Sequence, residues 1–200
     1  MNPLAIACLF LFSFFCGSIP TGYLLLKAAR NQDIRTLGSG NTGSTNVRRA
    51  AGAGLALITQ IADIAKGLIP VAIAIGISRH FDFGSAAAIV PPAVALAAIL
   101  GHDFSPFLGF HGGKGVNTTA GVFLLIAPIP TLIAAGAYFA LRLATPIVSI
   151  RSLALGLVLA VTTTVFGSAP AIIAAAWIAA LLIIIRHIEN IKRLARHKEQ

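Results

Sequence analysis

Three polar segments of the sequence contain the residue types that bind anions. The first, residues 38–49, combines glycines with hydroxyl and amide side chains and ends in Arg48 and Arg49. Glycines let the backbone turn its N–H groups inward, and the side chains add donors around the same space. We predict a phosphate site here. The alternative is a flexible surface turn, although plain linkers seldom combine so many donors with paired arginines.

The second segment, residues 101–115, ends in a glycine-rich turn around Lys114, and a helix is expected to begin near Val116. The N–H groups and positive dipole end of that helix, with the lysine charge, favour a second phosphate site. The turn is not a nucleotide P-loop. Leu108 stands where such a loop has its first glycine, and Gly115 replaces its Ser or Thr.

The third segment, residues 186–193, brings a base, an amide and a cation together. His187 precedes Asn190 by three positions and Arg186 precedes it by four, so a helix would gather the three on roughly one face. The alternative is a basic helix end that anchors in anionic lipid headgroups. We predict a functional role for His187 and Asn190.

Other polar residues have simpler explanations. Asp63 and Lys66 are three apart within an apolar segment, where a mutual ion pair is expected. His102 and His111 are expected at the membrane interface, and Asp103 is expected to cap a turn.

The composition of the chain indicates an integral membrane protein. Apolar residues are 57% of the 200 positions, charged residues 10%, and the mean hydropathy is +0.89. Long apolar runs recur between short polar segments, which is typical of membrane-spanning helices and excludes an ordinary soluble domain. The net charge of +9 lies in scattered loops without an aromatic-interleaved basic face, so no nucleic acid is expected. Residues 1–200 are expected to form a single domain.

The basic residues orient the predicted spans. Thirteen of the fifteen fall on one side if the apolar segments cross alternately, and the remaining two are Lys66 and Arg79. Cytoplasmic loops carry such an excess, which places the N-terminus outside and the C-terminus in the cytoplasm. The apolar segments are about 3–26, 51–77, 85–101, 116–141 and 152–185, the last divided by residues 167–170.

The segment 116–141 has basic residues on the same side at both ends, Lys114 and Arg142, so it cannot cross only once. Pro128 and Pro130 at its middle predict two short helices that form a hairpin. The predicted fold is therefore an all-α, polytopic transmembrane helix bundle of about seven helical segments. A five-span variant with a shallow, re-entrant hairpin has the same parity.

Several enzyme classes are excluded by their missing motifs. No histidine is followed by aspartate five positions later, as in common glycerolipid acyltransferases, and no serine lies in a Gly-x-Ser-x-Gly elbow. No His or Cys cluster has metal-ligand spacing, and Cys8 and Cys16 both lie in the first apolar segment. The remaining alternatives are an anion transporter or channel and a scaffold protein. The outer loops offer a transport path little beyond Arg79, His80 and Asp82.

The segments Gly38–Arg49, Gly112–Val116 and Arg186–Asn190, in this order over nearly the whole chain, closely resemble the three signature loops of the PlsY family. The resemblance implies a bacterial cytoplasmic (inner) membrane enzyme with its active site at the cytoplasmic face. Such an enzyme moves a fatty acyl group from acyl phosphate to the 1-hydroxyl of glycerol 3-phosphate and forms lysophosphatidic acid in phospholipid biosynthesis. Implied partners are these two substrates, membrane lipids and the enzyme that supplies acyl phosphate.

The resemblance also implies site residues. It assigns catalytic roles to Ser39, His187 and Asn190. Substrate or phosphate binding is implied for Asn41, Thr45, Asn46, Arg49, Gly112, Gly113, Lys114, Gly115 and a serine that corresponds to Ser149 or Ser152. Which serine corresponds stays open, because Pro146 and Ile147 occupy the neighbourhood of the family's usual tyrosine.

The implied chemistry fits the residues. Acyl phosphate is an activated mixed anhydride, so no cofactor, metal or covalent nucleophile is expected, and the task is to hold two anions and stabilise developing charge. His187 is a candidate base, although the substrate phosphate could serve instead. Which loop binds which phosphate is left open.

Overall fold

The computed structural model describes residues 3–81 and 84–196, and within these ranges the chain is helical without β-strands. The all-α prediction is confirmed. The α-helices in the described ranges are α1 (Pro3–Ser18), α2 (Thr21–Arg30), α3 (Ser44–Ala51), α4 (Ala53–His80), α5 (Val90–Asp103), α6 (Val116–Ile126), α7 (Pro128–Ala140), α8 (Val148–Val165), α9 (Pro170–Arg186) and α10 (Ile188–Ala195). Short 3₁₀ turns lie at Ile34–Thr36, Gly84–Ala88, Pro106–Leu108 and Leu141–Leu143.

Four helical stretches in the described part of the chain are long and apolar enough to cross a membrane, by length and composition. A fifth span exists if the bent pair of α9 and α10 is counted as one, with 57° between its two parts. The four are Leu4–Arg30, Ala53–His80, Ala86–Leu108 and Val148–Val165.

The predicted hairpin is present as α6 and α7, which are separated at Ala127. Pro128 opens α7, where its missing N–H costs no helical hydrogen bond. The two helices have 11 and 13 residues, hence lengths of about 17 and 20 Å at about 1.5 Å per residue, too short to cross a hydrocarbon core of about 30 Å. Counting α1 with α2, the apolar helical segments described number seven, as predicted.

Close helix packing explains part of the high content of small residues. A Cβ atom added to Gly17 or Gly101 would lie 2.0 Å from the carbonyl oxygen of Ala98 or Phe14, respectively, so α1 and α5 approach through their backbones. Helices in membranes associate by such van der Waals packing, because burial from water supplies no driving force between them.

The predicted ion pair between Asp63 and Lys66 is present, with 2.9 Å between its N and O atoms, and both side chains are buried. Lys66 also donates to the Ile19 carbonyl at 2.8 Å, and the Thr21 hydroxyl donates to Asp63 at 2.5 Å. These partners flank Pro20. The pair therefore fastens α4 to the break between α1 and α2, which leads the chain into the first glycine-rich loop.

Candidate active site

The three polar segments meet at one end of the bundle. They line a cavity of about 1170 Å³ together with α4, α7 and α8, and a second cavity of about 780 Å³ adjoins it. Ser39, Asn41, Lys114, Asn190 and Arg193 line both. The residues predicted for the site that line the larger cavity are Ser39, Asn41, Thr45, Asn46, Arg49, Lys114, Gly115, Ser149, Ser152, His187 and Asn190.

The larger cavity has a strongly positive lining. Asp63 is the one carboxylate among its described lining residues, and Lys66 already pairs with it. Such an excess of cations favours ligands of negative charge. The cationic lining residues are Arg48, Arg49, Lys114, Arg142, Arg151 and Arg193.

The first loop, residues 38–43, folds around the side chain of Asn46, which is buried. The amide nitrogen of Asn46 donates to the carbonyls of Leu37 and Asn41, each at 2.9 Å, and its amide oxygen accepts from the Ser39 N–H at 3.1 Å. Gly38 supports this tight path with a φ of +54°, a conformation that side chains disfavour. Asn46 lines the larger cavity, as expected for a residue predicted to bind substrate, and its observed bonds also shape the loop.

Helix α3 continues the first loop and presents Arg48 and Arg49 to the cavity. Its C-terminal end is capped from another helix. The guanidinium of Arg30 in α2 donates to the carbonyls of Ala50 and Ala51 at 2.8 and 3.1 Å. No local pattern predicts this contact, because Arg30 and Ala50 lie 20 positions apart in the sequence.

The second loop, residues 109–115, is held from two sides. The N–H groups of Gly113 and Gly112 donate to the carbonyls of His102 and Asp103 at 2.9 and 3.2 Å. From the opposite side, Arg186 donates through Nε to the Gly113 carbonyl at 3.0 Å and through Nη2 to the Gly112 carbonyl at 3.2 Å. Arg186 therefore clamps the turn, a role that its position beside His187 did not reveal.

The clamped turn positions Lys114 in contact with the third segment. Lys114 Nζ donates to the amide oxygen of Asn190. Gly115 follows in the left-handed region, with φ of +69°, and forms the N-cap of α6. Gly112 lines the smaller cavity. Gly113 lines neither cavity and packs against the His102 ring, where an added Cβ would lie 1.9 Å from Nε2.

His187 lies at the bend between α9 and α10, and its side chain is buried beside the cavity. Its Nδ1 atom is 2.8 Å from the Ile183 carbonyl oxygen. A carbonyl can only accept, so Nδ1 carries the hydrogen in this contact, and the neutral ring has Nε2 as its proton-accepting atom.

One expectation about the second segment was wrong. Asp103 does not cap a turn through its side chain, because neither carboxylate oxygen has a hydrogen-bond partner in the described structure. His102 is buried against the glycine turn and also lines the larger cavity. His111 is exposed, with Nδ1 2.6 Å from the Gly109 carbonyl oxygen.

Ser149 and Ser152 open α8, and both are buried residues that line the larger cavity. The N-cap position of α8 is Ile147, and no side chain caps the helix there. Among the described residues, no group of three or more His, Cys, Asp or Glu side chains could hold a metal ion.

An exposed ion pair stands beside the smaller cavity. Arg35, which lines it, lies 2.6 Å from Asp33. Hydrogen bonds and charge from Arg35 lower the pKa of Asp33 to about 2, so the carboxylate stays ionised near neutral pH.

The fold and the cavity define an integral membrane protein with a cationic cavity at one end of a helix bundle. A family model described as glycerol-3-phosphate acyltransferase matches residues 7–197. The glycerol-3-phosphate acyltransferase of Clostridium acetobutylicum is 47% identical over 188 residues, which cover 94% of this chain and 95% of that protein. That of Endomicrobium trichonymphae is 42% identical over 187 residues, with coverage of 94% and 90%.

Solved structures agree with the sequence relatives. A crystal structure of PlsY, an integral membrane glycerol 3-phosphate acyltransferase, in its glycerol 3-phosphate form matches with a TM-score of 0.89 at 33% identity, covering 98% of this chain and 94% of that one. The lysophosphatidic acid form matches with a TM-score of 0.86 at 32% identity. The chain belongs to the glycerol-3-phosphate acyltransferase family, and the predicted resemblance to PlsY is confirmed. It is therefore a membrane enzyme of the acyltransferase class.

Proposed function

We propose that this enzyme transfers a fatty acyl group from acyl phosphate to the 1-hydroxyl of glycerol 3-phosphate and forms lysophosphatidic acid. The observation that carries the proposal is the cationic cavity, in which six Arg and Lys side chains meet one carboxylate that is already paired. Two substrates that each bear a phosphate would match such a lining.

An acyl-phosphate donor requires only chemistry that the lining residues can supply. The carbonyl of an acyl phosphate is activated by its phosphate leaving group, so attack by a positioned hydroxyl needs neither a covalent intermediate nor a Lewis acid. The protein must align the two substrates and stabilise the charge that develops on the carbonyl oxygen and on the leaving phosphate.

Proton removal from the attacking hydroxyl is assigned to His187. The bond from Nδ1 to the Ile183 carbonyl directs Nε2 to act as the base. A phosphate oxygen of the substrate is the alternative base, in which case His187 would only orient the hydroxyl. Near-normal turnover in His187→Ala would establish that alternative and exclude His187 as the essential base.

Phosphate binding is assigned to Lys114 and Arg49, and the glycine turn of Gly112, Gly113 and Gly115 is assigned to position the lysine. Ser39 and Asn190 are assigned to orient the reacting groups or to stabilise the oxyanion. The contact between Lys114 and Asn190 joins these two tasks, because it ties the cation of the second loop to the amide of α10. Asn41, Thr45, Ser149 and Ser152 supply further polar groups to the wall of the cavity.

The cavity is proposed to open at the cytoplasmic face of the bacterial inner membrane, with the N-terminus outside and the C-terminus inside. The excess of basic residues in cytoplasmic loops supports this orientation. Six cationic residues line the larger cavity, whereas the last turn of α4 carries Arg79 and His80 as its basic residues. Glycerol 3-phosphate would arrive from the cytosol, and the donor, made by a separate acyl-phosphate-forming enzyme, through the bilayer. In a variant without Cys8 and Cys16, a membrane-impermeant thiol reagent should label His80→Cys in intact cells but not Arg196→Cys. The reverse labelling would overturn this orientation.

The decisive measurement is formation of lysophosphatidic acid by the purified protein from palmitoyl phosphate and glycerol 3-phosphate, with acyl-CoA and acyl-carrier-protein donors in parallel. Activity with acyl phosphate alone would support both the reaction and the donor. Activity with acyl-CoA or acyl-carrier protein alone would contradict the donor assignment. Inactivity of a folded sample with every donor would overturn the proposal and favour anion transport.

A further inference from the structure

Arg151 in the first turn of α8 is a buried cation without a carboxylate partner. Its exposed fraction is 8%, and none of the ion pairs found among residues 3–81 and 84–196 includes it. A guanidinium withdrawn from water is costly unless its charge and its N–H groups are matched by partners. At the edge of a membrane protein, such a residue indicates a ligand of opposite charge.

The protein contacts of Arg151 use little of its hydrogen-bonding capacity. Nη2 donates to the Pro146 carbonyl at 3.2 Å, and the guanidinium carbon lies 5.1 Å from the centroid of the Tyr138 ring. Nε is buried and has no hydrogen-bond partner in the described structure. A guanidinium has five N–H donors in a fixed fork, so these contacts hold the group in place while most of its donors stay available.

A second donor among the lining residues of α8 is also unmatched. The hydroxyl of Ser149 is buried without a partner among the described residues. Both residues line the larger cavity, as do Arg49 and Lys114 from the loops. The α8 wall of the cavity thus offers a planar fork and a hydroxyl, the donor set that suits a tetrahedral anion with several oxygens.

We propose that Arg151, oriented by Tyr138 and assisted by Ser149, binds a substrate phosphate from the α8 wall of the cavity. This inference rests on the proposed function for the identity of the ligand, since glycerol 3-phosphate and acyl phosphate present the same phosphate chemistry. Arg151 then contacts the substrate directly, whereas Tyr138 acts as a positioning residue through the cation–π contact.

The test compares Arg151→Gln and Arg151→Lys with the wild type by apparent KM and kcat, with each substrate varied in turn. Arg151→Gln should raise the KM for one substrate by about tenfold or more, the loss expected for a charge-assisted hydrogen bond. Arg151→Lys, which keeps the charge without the fork, should give an intermediate KM. Elevation for glycerol 3-phosphate alone assigns the contact to the acceptor, and elevation for acyl phosphate alone assigns it to the donor.

Arg79→Gln is the matched control, because Arg79 is exposed at the end of α4 and lines neither cavity. It should leave both KM values within about twofold of the wild type. A folded Arg151→Gln protein with both KM values unchanged would overturn the inference. So would a variant whose sole defect is a lower yield or melting temperature, which indicates a purely structural role.

A binding measurement separates this inference from the proposed function. Inorganic phosphate should raise the melting temperature of the wild type, and the shift should be at least halved in Arg151→Gln and retained in Arg79→Gln. If the wild type proves inactive with acyl phosphate but these shifts are seen, the donor assignment fails and the phosphate site stands. Equal shifts in the wild type and Arg151→Gln would overturn the site whatever the activity.

Discussion

The two glycine-rich loops at the cavity resemble each other in composition but differ in what holds them. The first loop is organised by Asn46, whose amide bonds join residues of the same segment, from Leu37 to Asn41. The second loop takes its partners from two other helices, namely the carbonyls at the end of α5 and the Arg186 guanidinium of α9. A local stretch of sequence can specify the first loop, whereas the second needs the assembled bundle.

This difference has a mechanical consequence. The first loop can keep its hydrogen bonds if neighbouring helices shift slightly, because the bonds of the Asn46 amide span at most twelve residues. The second loop cannot, because Arg186 and Asn190 in the third segment contact its glycines and Lys114. Lys114, Arg186 and Asn190 therefore link the second loop to α9 and α10.

The comparison is tested most strongly by the same substitution in the two loops. Gly112→Ala places a Cβ about 2.0 Å from the His102 carbonyl oxygen, a backbone atom that cannot move aside, and should lower kcat/KM by about 100-fold. In Gly43→Ala the nearest atom is the Asn41 side-chain oxygen at 3.0 Å, and the loss should be at most about fivefold. Steady-state assays on folded samples measure both. Equal losses would show that the two loops are held in the same way.

Asn46→Asp tests whether the first loop depends on its central amide. The new carboxylate would face the carbonyls of Leu37 and Asn41 without the hydrogens that they accept, so both stability and activity should fall, activity by about 30-fold or more. The exposed Asn31 at the end of α2 provides Asn31→Asp as the control, which should change activity by less than about twofold. Wild-type activity in Asn46→Asp would contradict the role given to Asn46.

Arg186→Gln tests the clamp on the second loop. Loss of two hydrogen bonds from a charged donor should lower kcat about tenfold while KM changes less, because the turn is mispositioned rather than removed. Arg186→Lys should recover part of the rate. Lys192→Gln, which breaks only an exposed ion pair with Glu189, is the control and should be neutral. A Gln variant with normal kcat would show that α5 alone holds the turn.

The smallest effect is expected from the exposed pair of Asp33 and Arg35. Because the folded pKa of Asp33 is lowered to about 2, its contribution to stability is present above the ordinary pKa of 3.8 and is lost as the pH falls through about 2. In Arg35→Gln this carboxylate should titrate near its ordinary value, and the melting temperature at neutral pH should change little. Titration of Asp33 by NMR in both proteins measures the difference. An unchanged pKa in Arg35→Gln would exclude Arg35 as its cause.

Several features were predictable because they depend on neighbours in the chain. The apolar runs predicted the helices, Pro128 and Pro130 with the charge parity predicted the hairpin, and a spacing of three predicted the pair of Asp63 and Lys66. Such signals are local, since the helical repeat alone brings residues three or four apart onto one face.

What the sequence determined by itself is the class of the molecule, a membrane helix bundle with glycine-rich polar loops, because composition and periodicity indicate the membrane environment and the secondary structure. Only the tertiary structure decided which groups hold those loops in place. Arg30 caps α3, Arg186 clamps the glycine turn, and Arg151 stacks on Tyr138 from a neighbouring helix. These contacts join residues 13 to 73 positions apart, and no local pattern specifies them because they exist only once the helices have packed.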